Sequence, residues 1–349
     1  MDVLNTTSRK RETYEVHLEY SLLWECALGI AAVTNSPLIK TLEKPAEYWK
    51  QVKSNITEEL LTQLNIVEEK NTWKSLLQLL HQEKFTEIKH FVLYIKELSE
   101  TDLKYICLPF IGQKYEKTRK KASIGQCAAV TELMTLTKDN PFFPTYIKFI
   151  CDVNATYLKK HLIAVMEGWF DEVINNENPE EITTYLKMDY ESKIQKSKGM
   201  SPEELIEWAT GGIIYLPEPS IGRVLLIPQY VYRPWNIEAD IEGTKVFYYP
   251  IANESIFPNN SHIPNNFLVL SYKALGDEVR LRMVKLLYKN DLTLQEITDE
   301  LEMAKSTVHH HLKILRSARL VEIVNAKYCL KQNAIKSLPK EMEQYLGPR

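Results

Sequence analysis

Three consecutive histidines stand near the C-terminal end of the chain, inside the run Ala304-Lys305-Ser306-Thr307-Val308-His309-His310-His311-Leu312-Lys313-Ile314-Leu315. Two chemistries could use them, metal ligation and contact with a polyanion. The spacing decides between the two. Read as a helix, the run places Val308, Leu312 and Leu315 at i, i+4 and i+7 on one apolar stripe, while Lys305, Ser306, His309, His310 and Lys313 project elsewhere. Neighbouring helical positions point about 100° apart, so three successive imidazoles cannot converge on one ion. A helix of about three turns does fit a major groove, where its polar face meets phosphates and base edges. The expected DNA-contacting residues are therefore Lys305, Ser306, Thr307, His309, His310, Lys313 and Arg316, with Lys327 just beyond. His311 is expected to pack or to donate to a phosphate. Imidazoles facing a polyanion would make binding tighten as pH falls.

The flanking sequence supplies the elements that would hold such a helix. Leu268 to Leu275 is apolar and helical, and Asp277 can cap a following helix whose core side is Val279, Leu281, Met283, Val284, Leu286 and Leu287. Thr293-Leu294-Gln295-Glu296 has capping-box spacing, predicting a short helix from about Leu294 to Leu301. The histidine run then begins after a short turn, which makes a helix-turn-helix. Leu320 to Val324 alternates, Asn325-Ala326 can turn, and Lys327 to Leu330 returns, which predicts a hairpin. The order of elements is that of a winged helix-turn-helix.

Several ordered segments carry a family resemblance. Lys273-Ala274-Leu275-Gly276-Asp277, Arg280-Leu281-Arg282-Met283, Ser306-Thr307-Val308, His311 to Leu315, Leu320-Val321 and Tyr328-Cys329-Leu330 together resemble the ArsR/SmtB family of bacterial transcriptional regulators, over roughly the last 80 residues. The resemblance implies dimers that bind operator DNA, usually as repressors relieved by a ligand. The chain departs from the family at identifiable places. Thr293 and Gln295 occupy the positions of the metal sensors' paired-cysteine box, and no histidine follows His311 to build the second metal site on the last helix. Metal sensing is accordingly not expected, and no cofactor is. Arg319 stands where the family usually has Gly, Ala304 where a capping Ser is common, and the hairpin tip carries only Lys327 and, further on, Lys331.

The preceding 265 residues read as a mostly helical body. Tyr14 to Val33 is a predicted core helix, ended by Asn35-Ser36-Pro37. Pro45 opens a second helix running through Leu64, with further helical patterns at Thr72 to His81, Thr86 to Leu98 and Ser123 to Thr137. Tyr146 to Asn175 is the longest uninterrupted pattern. Asn178-Pro179 and Ser201-Pro202 start two more helices, the latter stopping at Gly211-Gly212. Ile221 to Tyr232 and Thr244 to Ile251 are expected to form two strands of a hairpin or small sheet, with Pro228 favouring an edge or bulged position. All six tryptophans precede Ile237; most read as core, and some could line a cavity for an apolar ligand.

Composition bounds the function. Residues 266–349 hold 14 Lys and Arg against 10 Asp and Glu, and the rest of the chain 29 against 36, so the small part is basic and the large part acidic. This asymmetry suits a nucleic-acid-binding module on a body that does not bind it. Five scattered cysteines without a CxxC pair suggest reduced, mostly buried thiols. Met1 to Glu15 is polar and no apolar run approaches the ~18 residues of a membrane span, which predicts a soluble cytoplasmic protein without membrane contact. No GxSxG, P-loop, HExxH or GxGxxG motif points to an enzyme.

The resulting expectation is a mostly α protein. An α-rich sensor or effector domain spans 1–255 with a β element near 221–251, a linker spans 256–266, and a winged helix-turn-helix spans 267–349. Its expected partners are double-stranded DNA, a second copy of the chain, and a small-molecule or protein effector on the N-terminal domain. The alternative is a scaffold whose winged helix contacts proteins.

Overall fold

The computed structural model describes residues 13–258, 260, 262–264, 266–324 and 326–346. Its contacts divide into two units, one of residues 1–202 and 216–251, the other of residues 203–215 and 252–349. Residues 203–215, expected in the body, fall in the second unit, so the chain enters that unit twice. No helix among the described residues is long and apolar enough to cross a membrane.

In the first unit, a four-stranded sheet has the order β1 (Glu15–Leu18), β2 (Arg223–Gln229), β4 (Thr244–Pro250), β3 (Ile237–Ile241). Of the two expected alternatives, hairpin or small sheet, this is the small sheet. β2 and β4 pair in parallel, with Leu225 opposite Val246, and the hairpin partner of β4 is β3, through the Glu242-Gly243 turn. The two interior strands are almost wholly buried and therefore read as continuous apolar runs, while β1 and β3 are half-exposed edges. Pro228 lies in an interior strand, but beyond the last residue that β1 pairs, Leu226, so β2 has a neighbour on one side only where its N–H is missing.

Residues 14–33 are likewise not one helix. Glu15–Leu18 forms β1, and Ser21 then caps the helix Leu22–Val33 by accepting the Leu23 N–H. That helix is buried on all sides from Leu23 onward, the mark of a central core element. Gly29 lets it approach Trp169 closely, since a Cβ there would lie 2.8 Å from the Trp169 indole nitrogen.

Two long helical patterns are interrupted by caps. The helix opened by Pro45 stops at Asn55, and Thr57 starts a new one, Glu58–Lys70, its hydroxyl accepting the Leu60 N–H at 3.3 Å while its own N–H and hydroxyl donate to Glu172. The pattern 146–175 divides into Phe143–Asp152 and Ala155–Trp169, because Asn154 accepts the Tyr157 N–H at 3.1 Å; a π-helical turn, Phe170–Ile174, follows. Ser123–Thr137 divides at Gly125 (φ 81°) into the end of Glu116–Ser123 and the helix Cys127–Leu136. In each case a local side-chain-to-backbone bond or a left-handed residue overrides an unbroken apolar period.

The core of this unit includes Trp49, Trp169, Tyr146, Tyr248 and Phe91, each 1% exposed or less. A surface groove of about 540 Å³ on Cys127–Leu136 and its neighbours is lined by no aromatic residue. Cys26, Cys107 and Cys151 are buried, Cys127 is exposed and Cys329 half-buried.

Candidate nucleic-acid interface

The second unit has its own core, built on Met283, Leu287, Ile297, Leu301, Val308, Leu312, Leu315, Leu320 and Tyr328. Its elements are helices Pro202–Thr210, Asn266–Leu275, Glu278–Lys289, Leu294–Leu301 and Lys305–Ser317, strands β5 (Val321–Val324) and β6 (Lys327–Leu330), and helix Gln332–Leu346. The expected linker, 256–266, includes residues outside the described set; its first residue ends a short helix, Asn253–Ile256, and its last begins Asn266–Leu275.

Two of the helix starts have a local cause. Asp277 caps the second of the winged helices by accepting the Arg280 N–H at 3.0 Å. The Thr293 box is complete: its hydroxyl accepts the Glu296 N–H at 3.3 Å and Glu296 accepts the Thr293 N–H at 2.7 Å. The Glu296 carboxyl sits below its usual range, first through the Thr293 N–H and then through its hydroxyl. Thr293→Ala is expected to cost the second unit about 1 kcal/mol, or about 4–8 °C in its melting transition. A calorimetric midpoint within a degree of the parent would show that the box does not hold this helix.

The helix Lys305–Ser317 begins at Ala304, which makes no side-chain cap. Tertiary burial therefore has to hold it. Val308, Leu312 and Leu315 are 0% exposed, and they fix which face turns outward. On the outward side, Lys305, Ser306, His309, His310, Lys313 and Arg316 are exposed and Thr307 is half-buried. From Lys305 to Arg316 the helix rises roughly 16 Å at about 1.5 Å per residue. The structure thus brings seven of the eight expected contact residues onto one helix, and the eighth, Lys327, is exposed at the start of β6.

His311 departs from this set. Its Nδ1 lies 3.7 Å from Asp277 Oδ1 and 3.5 Å from Arg280 Nη1, so it packs against the capped end of the neighbouring helix. Arg280 in turn donates to the carbonyls of Ala274 at 2.6 Å and Lys273 at 3.1 Å. The Asp277 carboxyl is held below its usual range, first by the Arg280 N–H and then by the Arg280 guanidinium and His311. The motif residues Asp277, Arg280 and His311 are therefore one polar brace that orients the helix from behind.

The hairpin pairs Val321 with Leu330 and Val324 with Lys327, and β6 is further pinned where Tyr328 and Leu292 exchange backbone hydrogen bonds of 2.7 and 3.1 Å. Ala326 sits at φ 61°; its turn partner Asn325 lies outside the described residues. Glu322, Ile323 and Val324 are exposed on β5. Lys331, counted with the wing from sequence, points elsewhere: its amine donates to the Gly212 carbonyl at 2.8 Å and lies 3.4 Å from Glu322. Residues 203–215, expected from sequence in the body, belong to this unit, and Arg319 and Lys331 donate to their carbonyls. Among the described residues no three His, Cys, Asp or Glu side chains are grouped to hold a metal ion.

Comparison with known proteins agrees with this geometry. Residues 277–322 match the family model described as bacterial regulatory protein, arsR family. A protein named transcriptional repressor SmtB homolog, from Synechocystis sp., is 33% identical over 79 residues, covering 22% of this chain and 60% of the relative. An uncharacterized HTH-type transcriptional regulator of Methanocaldococcus jannaschii is 42% identical over 52 residues, 15% of this chain and 58% of the relative. The chain thus spans under two thirds of the length of these relatives, and the likeness lies in its C-terminal part. No solved structure matches the chain.

Proposed function

We propose that this chain, whose C-terminal part carries an ArsR/SmtB-type helix-turn-helix, is a transcriptional regulator that binds operator DNA through the exposed face of Lys305–Ser317. The observation that carries this reading is the pairing of a wholly buried stripe, Val308, Leu312 and Leu315, with an outward face of cations and donors, in the segment that matches the family. Lys305, Lys313, Arg316 and Lys327 meet phosphates, while Ser306, Thr307, His309 and His310 reach base edges or phosphates. Repression, as the Synechocystis relative's name states for that protein, is the mode of action we assign.

The proposed binding unit is a homodimer on an inverted repeat, its two recognition helices entering successive major grooves about 34 Å apart. An apolar depression of about 430 Å³, formed by Leu268, Val269 and Tyr272 on one helix and Met342 and Tyr345 on the last, is the surface we assign to the dimer contact. The body senses a non-metal ligand or a protein partner and shifts the population of DNA-competent dimers.

A second reading makes the winged unit a protein-interaction module, favoured by Ile323 and Val324, 43% and 47% exposed on a wing with a single cation at its tip. Substituting Lys305 and His309 together with Ala separates the two. On the first reading, DNA affinity falls and the logarithmic salt dependence flattens by about one unit for the lost lysine–phosphate contact, while the circular dichroism stays that of the parent. Parent protein that prefers no sequence over random DNA at moderate salt sinks the DNA reading.

A further inference from the structure

We propose that residues 203–215 couple the N-terminal unit to the recognition helix and wing, with Arg319 and Lys331 as the positioning residues that transmit the coupling. The proposal rests on the DNA-binding reading above. The chain leaves the first unit at 202/203, contributes this segment to the second, and returns at 215/216 to supply β2, an interior strand of the first unit's sheet. A displacement in that sheet therefore has a short covalent route to whatever holds 203–215.

What holds it is specific. The helix Pro202–Thr210 ends in two left-handed glycines, Gly211 at φ 68° and Gly212 at φ 114°. The Gly212 N–H turns back to the Glu207 carbonyl at 2.7 Å, and the Ile213 N–H donates to the Thr210 hydroxyl at 3.0 Å. This compact stop leaves carbonyls at the negative end of the helix dipole, where cations are favoured. Two cations of the winged helix meet them: Arg319 Nη1 donates to the Thr210 carbonyl, and Lys331 Nζ donates to the Gly212 carbonyl at 2.8 Å.

Both cations stand at junctions that set the DNA-facing geometry. Arg319 is the single residue between the last turn of Lys305–Ser317, closed by Ala318, and the start of the wing at Leu320; its N–H caps the Arg316 carbonyl at 2.9 Å while the Leu320 N–H reaches Leu315 at 3.0 Å. It does so at φ 58°, a conformation that costs any residue with a Cβ. The Gly that the family resemblance expects here would make the same turn without strain but could not reach Thr210. Lys331 follows β6 directly, and its N–H donates to the Leu320 carbonyl at 2.9 Å, closing the base of the hairpin. Moving the carbonyls of Thr210 and Gly212 thus pulls on the end of the recognition helix and on the root of the wing together.

The test is amide hydrogen exchange on the full chain, with and without a duplex that the chain itself selects from random-sequence DNA. DNA is expected to slow exchange over 305–317 and, through Arg319 and Lys331, by about fivefold or more over 205–213. In the double variant Arg319→Gly, Lys331→Gln the response at 205–213 disappears while that at 305–317 remains, and Arg319→Lys, which keeps one cation, restores part of it. Linkage requires the reverse effect as well. Gly212→Ala strains the carbonyl's position without touching the winged residues and is expected to weaken duplex binding by about fivefold or more. An unaltered 205–213 in the DNA-bound parent overturns the proposal, as does the same response in the double variant or unchanged affinity of Gly212→Ala. If the double variant does not fold, the Gly212→Ala affinity decides. Absence of protection even at 305–317 has a different signature: it overturns the DNA reading and this inference with it.

Discussion

Leu312→Ala is expected to destabilise the second unit by about 2–5 kcal/mol and to abolish DNA binding, although Leu312 touches no DNA in the proposed complex. The side chain is 0% exposed and packs in one cluster with Val308, Leu315, Ile297, Leu301 and Tyr328. A small domain has only about 5–15 kcal/mol in total, so a loss near the upper end leaves much of the unit unfolded. The contrast with Lys305→Ala is the point of the experiment: an exposed substitution changes stability by about 0.5 kcal/mol or less, so its effect on binding reports on contact rather than folding. Calorimetry on the full chain should show the transition of the second unit lowered by Leu312→Ala and unmoved by Lys305→Ala. Equal midpoints for the two variants would mean that the apolar stripe does not hold this helix.

The second large effect lies in the first unit. Glu25, 1% exposed on the core helix Leu22–Val33, accepts the backbone N–H of Tyr230 at 2.6 Å and of Val231 at 2.9 Å. Burial raises its pKa to about 7, against the lowering effect of those two N–H groups and of Lys44. Because the folded-state pKa lies above the unfolded value, the folded state binds the extra proton between about pH 4.5 and pH 7. Glu25's stabilisation is fully present below that window and is lost as pH rises through about 7. At 1.36 kcal/mol per pKa unit, the loss amounts to about 3 kcal/mol. His81, lowered to about 3 by burial and by Arg223, and His161, lowered to about 4 by burial, act in the opposite sense, since neutral buried imidazoles resist protonation.

The difference between the parent and Glu25→Gln isolates the carboxyl, because the histidines are common to both. Gln leaves one of the two N–H groups without its acceptor, a cost of about 1–3 kcal/mol, and removes the titration. Five of the six tryptophans fall in the first unit, so denaturation followed by indole fluorescence reads its stability. From mildly acid to alkaline pH the parent should lose about 3 kcal/mol relative to the variant. Parallel pH profiles would show that Glu25 does not titrate in this range.

Read from sequence, the winged unit was legible because its signals are local. The i, i+4, i+7 stripe of Val308, Leu312 and Leu315, the Thr293–Glu296 box and the Asp277 cap each act within one or two helical turns, and all three stand in the structure as the residue spacing predicts. The face opposite the stripe follows geometrically, so the exposed positions of Lys305, Ser306, His309, His310, Lys313 and Arg316 were also determined by sequence. Local signals also marked the Asn178-Pro179 and Ser201-Pro202 helix starts and the Gly211-Gly212 stop.

Tertiary structure alone decided everything that depends on which distant segments meet. Glu15–Leu18 and Ile237–Ile241 are short, half-exposed edge strands in which polar and apolar residues alternate, but alternation over four or five residues is too short to fix a strand; pairing with β2 and β4 makes them strands. The parallel pairing of β2 and β4 is equally nonlocal, since both are apolar runs that could have formed a hairpin. The destination of Lys331 and Arg319 required knowing that a segment more than a hundred residues upstream ends its helix beside the wing. The apolar stripe beneath the histidine run lies where its spacing places it; what holds the far end of that helix became visible only when the chain had folded.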